Sequence, residues 1–187
     1  MKPVERSEIV DHVTYEETRD AFRKEILAEK ARRRIHVGEY FTFLFENTQT
    51  IRYQIQEMMR IEQIVREKDI LHEITTYNDI LGGDGELGCT LMIQIDDAQN
   101  KDLKLREQMH LPEHIYAALA DGAKVYPKFQ PEHRGESRLA AVQYLKFPVD
   151  GRVPIAIGID LPGYKTETSL TKDQRKALEE DLGVGPM

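Results

Sequence analysis

Residues 40–68, YFTFLFENTQTIRYQIQEMMRIEQIVREK, change their hydrophobic period in the middle. The first six residues place phenylalanine at every second position, which is typical of a β-strand. Asn47 can cap a following helix, because its side chain accepts hydrogen bonds from free backbone amides. The stretch therefore predicts a strand followed directly by an amphipathic helix over 48–68. The apolar side chains of that helix form one stripe with a period of about 3.6 residues: Ile51, Ile55, Met58 and Val65.

A second helix is predicted to follow, out of register with the first. Asp69 can cap its start, so we expect a break at 68–69 and a pair of helices over 48–81. The run Gly82-Gly83-Asp84-Gly85 is typical of a helix end. The apolar positions of the second helix lie one residue out of step with the first stripe: Ile70, Ile74, Tyr77 and Leu81.

Charged helices are predicted at both ends of the chain. Residues 1–34 have a helical pattern, with Thr14 and Glu17 as a capping box. A last helix over 171–182 has Thr171 and Gln174 in the same arrangement. The first helix ends in basic residues that favour a helix C-terminus, with an anion or acidic-partner site as the alternative: Lys30, Arg32, Arg33 and Arg34.

The segment 87–160 is predicted to be rich in strands. Its first strand, 87–95, alternates apolar and small or polar residues, and a short helix is expected over 99–109. Asp121-Gly122 is a strong signal for a hairpin between its flanking strands. A second hairpin is predicted around 148–151, joining 139–147 to 152–160.

These elements predict an α+β fold in one domain, 1–187. We expect a twisted antiparallel sheet of about six strands, with helices packed on one side. Whether the sheet curls toward a barrel is left open by the sequence. Asp-Gly turns join neighbouring strands directly, so a parallel β-α-β order is not evident.

Composition restricts the class of protein. The chain has 187 residues, a net charge of −7 and one cysteine, Cys89, so we expect no internal disulfide. An acidic chain argues against nucleic acid and against anionic membrane surfaces as partners. No apolar run is long enough to span a membrane, and residues 1–13 lack the apolar core of a signal peptide. We therefore expect a cytoplasmic protein.

The helix pair 48–81 contains the main candidate site. Glu62 falls near the centre of the first apolar stripe, and Glu73 borders the second stripe beside Tyr77. A carboxylate on an apolar face is costly unless it is paired, and burial would raise its pKa. The pair could therefore be general acid–base groups or ligands of iron or manganese, with Gln54 and Asn78 close by. The alternative is a hydrogen-bonded pair that holds the helices together.

The reverse face of the first helix is a second candidate. It carries Arg52, Tyr53, Gln56 and Arg60. It is either a solvated polar face or a recognition surface for an acidic or planar partner, since Arg and Tyr are favoured at interfaces. Gln143, in an otherwise apolar row, could contact a ligand or satisfy the end of a strand or helix.

Five segments resemble a bacterial family known as domain of unknown function 3501. They are FENTQTIRYQIQEMMRIE (45–62), HEITTYN (72–78), GELGCTLMIQI (85–95), HIYAALADG (114–122) and AVQYLKFP (141–148). The resemblance implies a role beside rubrerythrin-like or iron–sulfur partners in redox or peroxide defence, and it supplies no catalytic residues. The stretch 149–187 fits the pattern of the family less clearly. The positions that match the family motif are Arg52, Tyr53, Gln54, Gln56, Glu57, Glu62, Glu73, Tyr77 and Asn78.

Three functions follow as hypotheses. The first is a cytoplasmic binding or accessory protein that engages a redox partner or a small ligand through the helix pair. The second is a metal-dependent enzyme that uses Glu62 and Glu73. The third is a homodimer with the helix-pair motif as its interface.

Overall fold

The computed structural model describes residues 1–97, 100–130 and 137–184. These residues form five α-helices and nine strands, and the strands form two antiparallel sheets. The helices are α1 (His12–Ala31), α2 (Thr48–Glu62), α3 (Glu67–Asn78), α4 (Lys101–Glu107) and α5 (Lys172–Leu182). The strands are β1 (Arg34–Val37), β2 (Phe41–Phe45), β3 (Leu87–Ile93), β4 (Ile115–Ala118), β5 (Lys124–Val125), β6 (Lys128–Phe129), β7 (Val142–Phe147), β8 (Ala156–Leu161) and β9 (Tyr164–Ser169).

The larger sheet has the strand order β1-β2-β3-β7-β6, and the smaller has β5-β4-β8-β9. The register of the larger sheet pairs Leu44 with Thr90 and Thr90 with Tyr144, so these three side chains share one face. The opposite face carries the apolar alternation of β2 and β3. The apolar side chains on this face pack against those of the smaller sheet, so the two sheets share one hydrophobic core.

Two hydrophobic clusters fill the interior. The larger cluster combines apolar side chains of both sheets with Leu178 of α5. The smaller cluster joins α2 and α3 to the N-terminal segment and to Tyr144 of β7. Because Tyr144 points toward α2 and α3, the helix pair lies over the face of the larger sheet that carries Thr90. The most buried side chains of the larger cluster include Phe43, Phe45, Leu91, Leu145, Ile115 and Ile157.

The predicted α+β class with antiparallel strands is confirmed, but the number and arrangement of strands differ. Nine strands form two sheets instead of about six in one, and the described strands do not close into a barrel. The hairpin predicted around 148–151 is wrong, because β7 and β8 belong to different sheets. Asp150 and Gly151, with φ of 52° and 72°, turn the chain between them. The hairpin between β8 and β9, which turns at Gly163 with a φ of 85°, was missed.

Several element boundaries also differ from prediction. Asp11, not Thr14, caps α1, and α2 ends at Glu62 because Gln63 adopts a left-handed conformation with a φ of 54°. The break therefore comes before 68–69, which leaves Val65 75% exposed. In contrast, the Thr171–Gln174 capping box is present, and β4 and β5 pair around Asp121-Gly122 as predicted.

No helix of the described residues is both long enough and apolar enough to cross a membrane. A single domain over 1–187 stays a prediction, since residues 98–99, 131–136 and 185–187 lie outside the described part of the chain.

Candidate functional site

The predicted recognition surface of α2 is partly covered by α1. The guanidinium carbon of Arg52 lies 4.7 Å from the centre of the Phe22 ring. That ring packs edge-on against Tyr53, with 5.8 Å between centroids, and the ammonium of Lys30 lies 5.1 Å from the centre of the Tyr53 ring. Arg52 and Tyr53 are half-buried by these contacts, so a recognition surface or a solvated polar face at this position stays a prediction. α1 folds back against these side chains, so a homodimer interface at this point would include α1.

Glu57 lies at the centre of an ion-pair cluster between α1 and α2. The Arg19 guanidinium donates to its two carboxylate oxygens at 2.7 and 3.0 Å, and the Tyr15 hydroxyl donates at 2.7 Å. Arg60 donates at 3.4 Å. The hydrogen bonds from Arg19 lower the pKa of Glu57 to about 2. Glu57 therefore holds the two helices together, and Arg60 adds a longer contact to α1, 3.7 Å from its guanidinium to the Glu16 carboxylate.

We expect Glu57→Gln to flatten the acid side of the stability profile. The pKa of Glu57 is lower in the folded chain than its ordinary value of 4.5, so its ion pairs stabilise the fold above about pH 4.5. This stabilisation is lost as the pH falls from about 4.5 to about 2. The difference between the two pKa values corresponds to about 3 kcal/mol. Urea unfolding should show the variant less stable by about that amount at pH 7, and equal to the wild type near pH 2.

The control for this prediction is Glu67→Gln. Glu67 pairs with Arg6 in an exposed position, where solvent screens the interaction. Its unfolding profile should follow that of the wild type closely. A Glu57→Gln profile that runs parallel to the wild type at every pH would contradict the prediction.

Gln56 and Asn78 attach the N-terminal segment to the helix pair. The Gln56 side chain accepts from the Val10 amide at 2.7 Å and donates to the Val10 carbonyl at 3.3 Å. Asn78 does the same for Val4, at 2.8 and 2.9 Å. Each side-chain amide thus bonds both the N–H and the C=O of one backbone residue, as a neighbouring strand would. Both side chains therefore have a structural role, and their predicted role in binding a ligand or partner stays a prediction.

Glu62 and Glu73 do not share a buried site. Glu62 is exposed at the last position of α2, because the helix ends there, and Glu73 is half-buried on α3. Among residues 1–97, 100–130 and 137–184, no group of three or more His, Cys, Asp or Glu side chains is arranged to hold a metal ion. An iron or manganese site at these glutamates stays a prediction without a ligand set in the described residues.

Gln143 lies on the core side of β7. Strand alternation places it on the face opposite Tyr144, where it is buried. Its amide donates to the carbonyl of Ala140 at 2.9 Å. This contact matches the structural alternative, in which the side chain satisfies a backbone group at the start of the strand.

A cleft opens between α3 and the edge formed by β6 and β7. Its volume is about 440 Å³, within the range of small-molecule sites. Tyr77 lines the helix side, and burial raises its pKa. Tyr144 lines the sheet side, and burial raises its pKa too. The lining residues are Thr75, Thr76, Tyr77, Asp79, Ile80, Lys128, Phe129, Gln130, Tyr144, Leu145 and Lys146.

Charged side chains bridge the rim of this cleft. Lys146 donates to Asp79 at 3.2 Å, and Gln130 donates to the other oxygen of the same carboxylate at 3.0 Å. Lys128 donates to Glu86 at 2.7 Å and holds the pKa of that carboxyl low. The cleft thus combines an aromatic lining with two lysines at its edge.

Glu46 is a buried carboxyl group that sequence reasoning passed over. It follows β2 directly and accepts from the hydroxyls of Thr50 at 2.6 Å and Thr90 at 2.8 Å. Burial raises its pKa, and its charge helps to raise the pKa of Tyr144 in the cleft. One feature of the sequence could have indicated its burial: the residue is acidic and lies between a buried strand and a helix cap. At such a position the chain reverses direction and can enclose the side chain.

The fold and the cleft define a class: an α+β protein of two antiparallel sheets, with a ligand-sized cleft beside a helix pair. A family model described as protein of unknown function (DUF3501) matches residues 3–182. The chain belongs to this family. The match extends to residue 182 and so includes nearly all of the stretch 149–187, whose resemblance to the family was less clear from the sequence.

One solved structure shares the whole fold. It is a crystal structure of a novel protein of unknown function from Burkholderia pseudomallei K96243 at 1.90 Å resolution. It is 25% identical in sequence with a TM-score of 0.88, and the match covers 97% of this chain and 100% of that chain. No curated protein matches this chain.

Proposed function

We propose that this chain is a binding protein that holds a small molecule with a flat, apolar part in the cleft between α3 and the β6–β7 edge. The supporting observation is the lining: Tyr77, Phe129 and Tyr144 border a space of about 440 Å³. Apolar clefts with a few polar groups at the edge are the usual sites of small ligands. Aromatic side chains also favour stacked or edge-on contact with planar rings.

The neutral fluorescent dye N-phenyl-1-naphthylamine tests this proposal. We expect saturable binding to the wild type, because the dye is planar and apolar. Tyr144→Ala should weaken binding about tenfold or more, which corresponds to about 1.4 kcal/mol. The matched control is Tyr126→Ala, since Tyr126 is an exposed tyrosine between β5 and β6 that does not line the cleft.

A second variant guards against a folding defect. Thr76 lines the cleft from an exposed position, so Thr76→Trp should fill the cleft without disturbing the core. It should abolish dye binding while leaving the Tm unchanged. Saturable dye binding that neither Tyr144→Ala nor Thr76→Trp weakens would place the dye elsewhere and contradict the proposal.

The family resemblance adds a context to this proposal. It implies an accessory role in the cytoplasm, beside a rubrerythrin-like or iron–sulfur partner. This part stands on the resemblance alone, and co-purification of such a protein with the tagged chain is the measurement that tests it.

A further inference from the structure

Two lysines lie directly opposite each other at the edge of the cleft. Lys128 of β6 and Lys146 of β7 are paired in the antiparallel register, so their side chains project from the same face. Like charges in such a cross-strand pair repel each other. The arrangement is tolerated here because each ammonium has a carboxylate partner, Glu86 for Lys128 and Asp79 for Lys146.

The two carboxylate partners differ in exposure. Glu86, which accepts from Lys128, has a side chain that is 19% exposed and does not line the cleft. Asp79, which accepts from Lys146, has a side chain that is 60% exposed. An exposed ion pair is weak, because water screens it. Lys146 can therefore exchange Asp79 for an anionic group of a molecule in the cleft, while Lys128 adds to the local positive charge.

We propose that the molecule held in the cleft is an aromatic anion. Its ring would lie against the side chains of Tyr77, Phe129 and Tyr144, and its carboxylate, sulfonate or phosphate group would take the place of Asp79 at Lys146. The Asp79 carboxylate then competes with the ligand for the Lys146 ammonium. This inference rests on the proposed function and names the chemical class of its ligand.

A pair of dyes with the same ring system tests the charge requirement. The anionic dye 8-anilinonaphthalene-1-sulfonate is N-phenyl-1-naphthylamine with one added sulfonate. Both dyes are titrated into the wild type, Lys146→Met, Asp79→Asn and the control Lys165→Met, whose lysine lies on the other sheet. The quantity compared is the change in affinity for each dye between variant and wild type.

The two cleft variants should change the affinity for the anionic dye in opposite directions. Lys146→Met should lower it about fivefold, and Asp79→Asn should raise it about threefold by freeing Lys146. Neither variant should change the affinity for the neutral dye, and Lys165→Met should change neither. A purely structural role of the Lys146–Asp79 pair would lower both affinities in both variants.

The failure of this inference differs from the failure of the proposed function. Equal changes for the two dyes, or a loss of anionic binding in Asp79→Asn, would overturn the anion requirement and leave the cleft as a site for neutral rings. Absence of saturable binding by both dyes would overturn both proposals.

Discussion

Arg33→Ala should lower the free energy of unfolding by about 3–5 kcal/mol, the usual cost of removing one partner from a buried ion pair. The Arg33 side chain is 1% exposed. It donates to both carboxylate oxygens of Asp181, at 2.8 and 2.7 Å, and also pairs with Glu29. Burial raises the pKa of Asp181, and Arg33 opposes that rise. Without the guanidinium, a buried carboxylate between α1 and α5 has lost its main counter-charge.

The neighbouring residue supplies a matched control. Arg32 also pairs with Glu29 and with a residue of α5, Glu180, but its side chain is 35% exposed. Arg32→Ala should therefore cost no more than about 1 kcal/mol. Guanidinium unfolding of both variants at pH 7 makes the comparison. Equal losses for the two variants would show that burial of the Arg33 pair contributes nothing.

The Arg33–Asp181 pair also shows where prediction from the sequence ends. The features predicted correctly are local: the cap at Thr171, the alternation of β3 and the Asp121-Gly122 turn. Each of them depends on residues only a few positions apart. The basic run that ends the first helix was interpreted as favourable charge at a helix C-terminus. Arg33 instead meets a partner 148 positions away, which no local pattern encodes.

The candidate site was predicted in part for the same reason. The position of Tyr77 in the cleft follows from helical phase, because its side chain lies on the apolar stripe of the second helix of the pair. Glu57 was singled out by the family motif alone, and its ion pair with α1 was not predicted, since the return of α1 across α2 leaves no mark in the α2 sequence. The cleft itself needs Lys128 and Tyr144, which come together with α3 only through the pairing of β6 with β7.

Gly88→Ala should have the second large effect, a loss of about 3 kcal/mol from overpacking at a site that cannot relax. Gly88 lies in β3, at the point where the chain after α3 crosses the strand. A Cβ atom there would lie 2.0 Å from the carbonyl oxygen of Ile80, 2.8 Å from the amide nitrogen of Gly82 and 3.0 Å from the carbonyl carbon of Leu81. All three are backbone atoms, so the segment after α3 has to move away from the sheet.

The same displacement should open the cleft, because Asp79 and Ile80 form part of its wall. In Gly88→Ala the Tm should fall by roughly 6–12 °C, given about 2–4 °C per kcal/mol for a chain of this size. The folded variant should also bind N-phenyl-1-naphthylamine less tightly. Gly83→Ala is the control: its Cβ would meet only the flexible end of the Glu86 side chain, at 3.2 Å. If both variants melt and bind dye alike, close contact between β3 and the backbone after α3 is not what holds the cleft in shape.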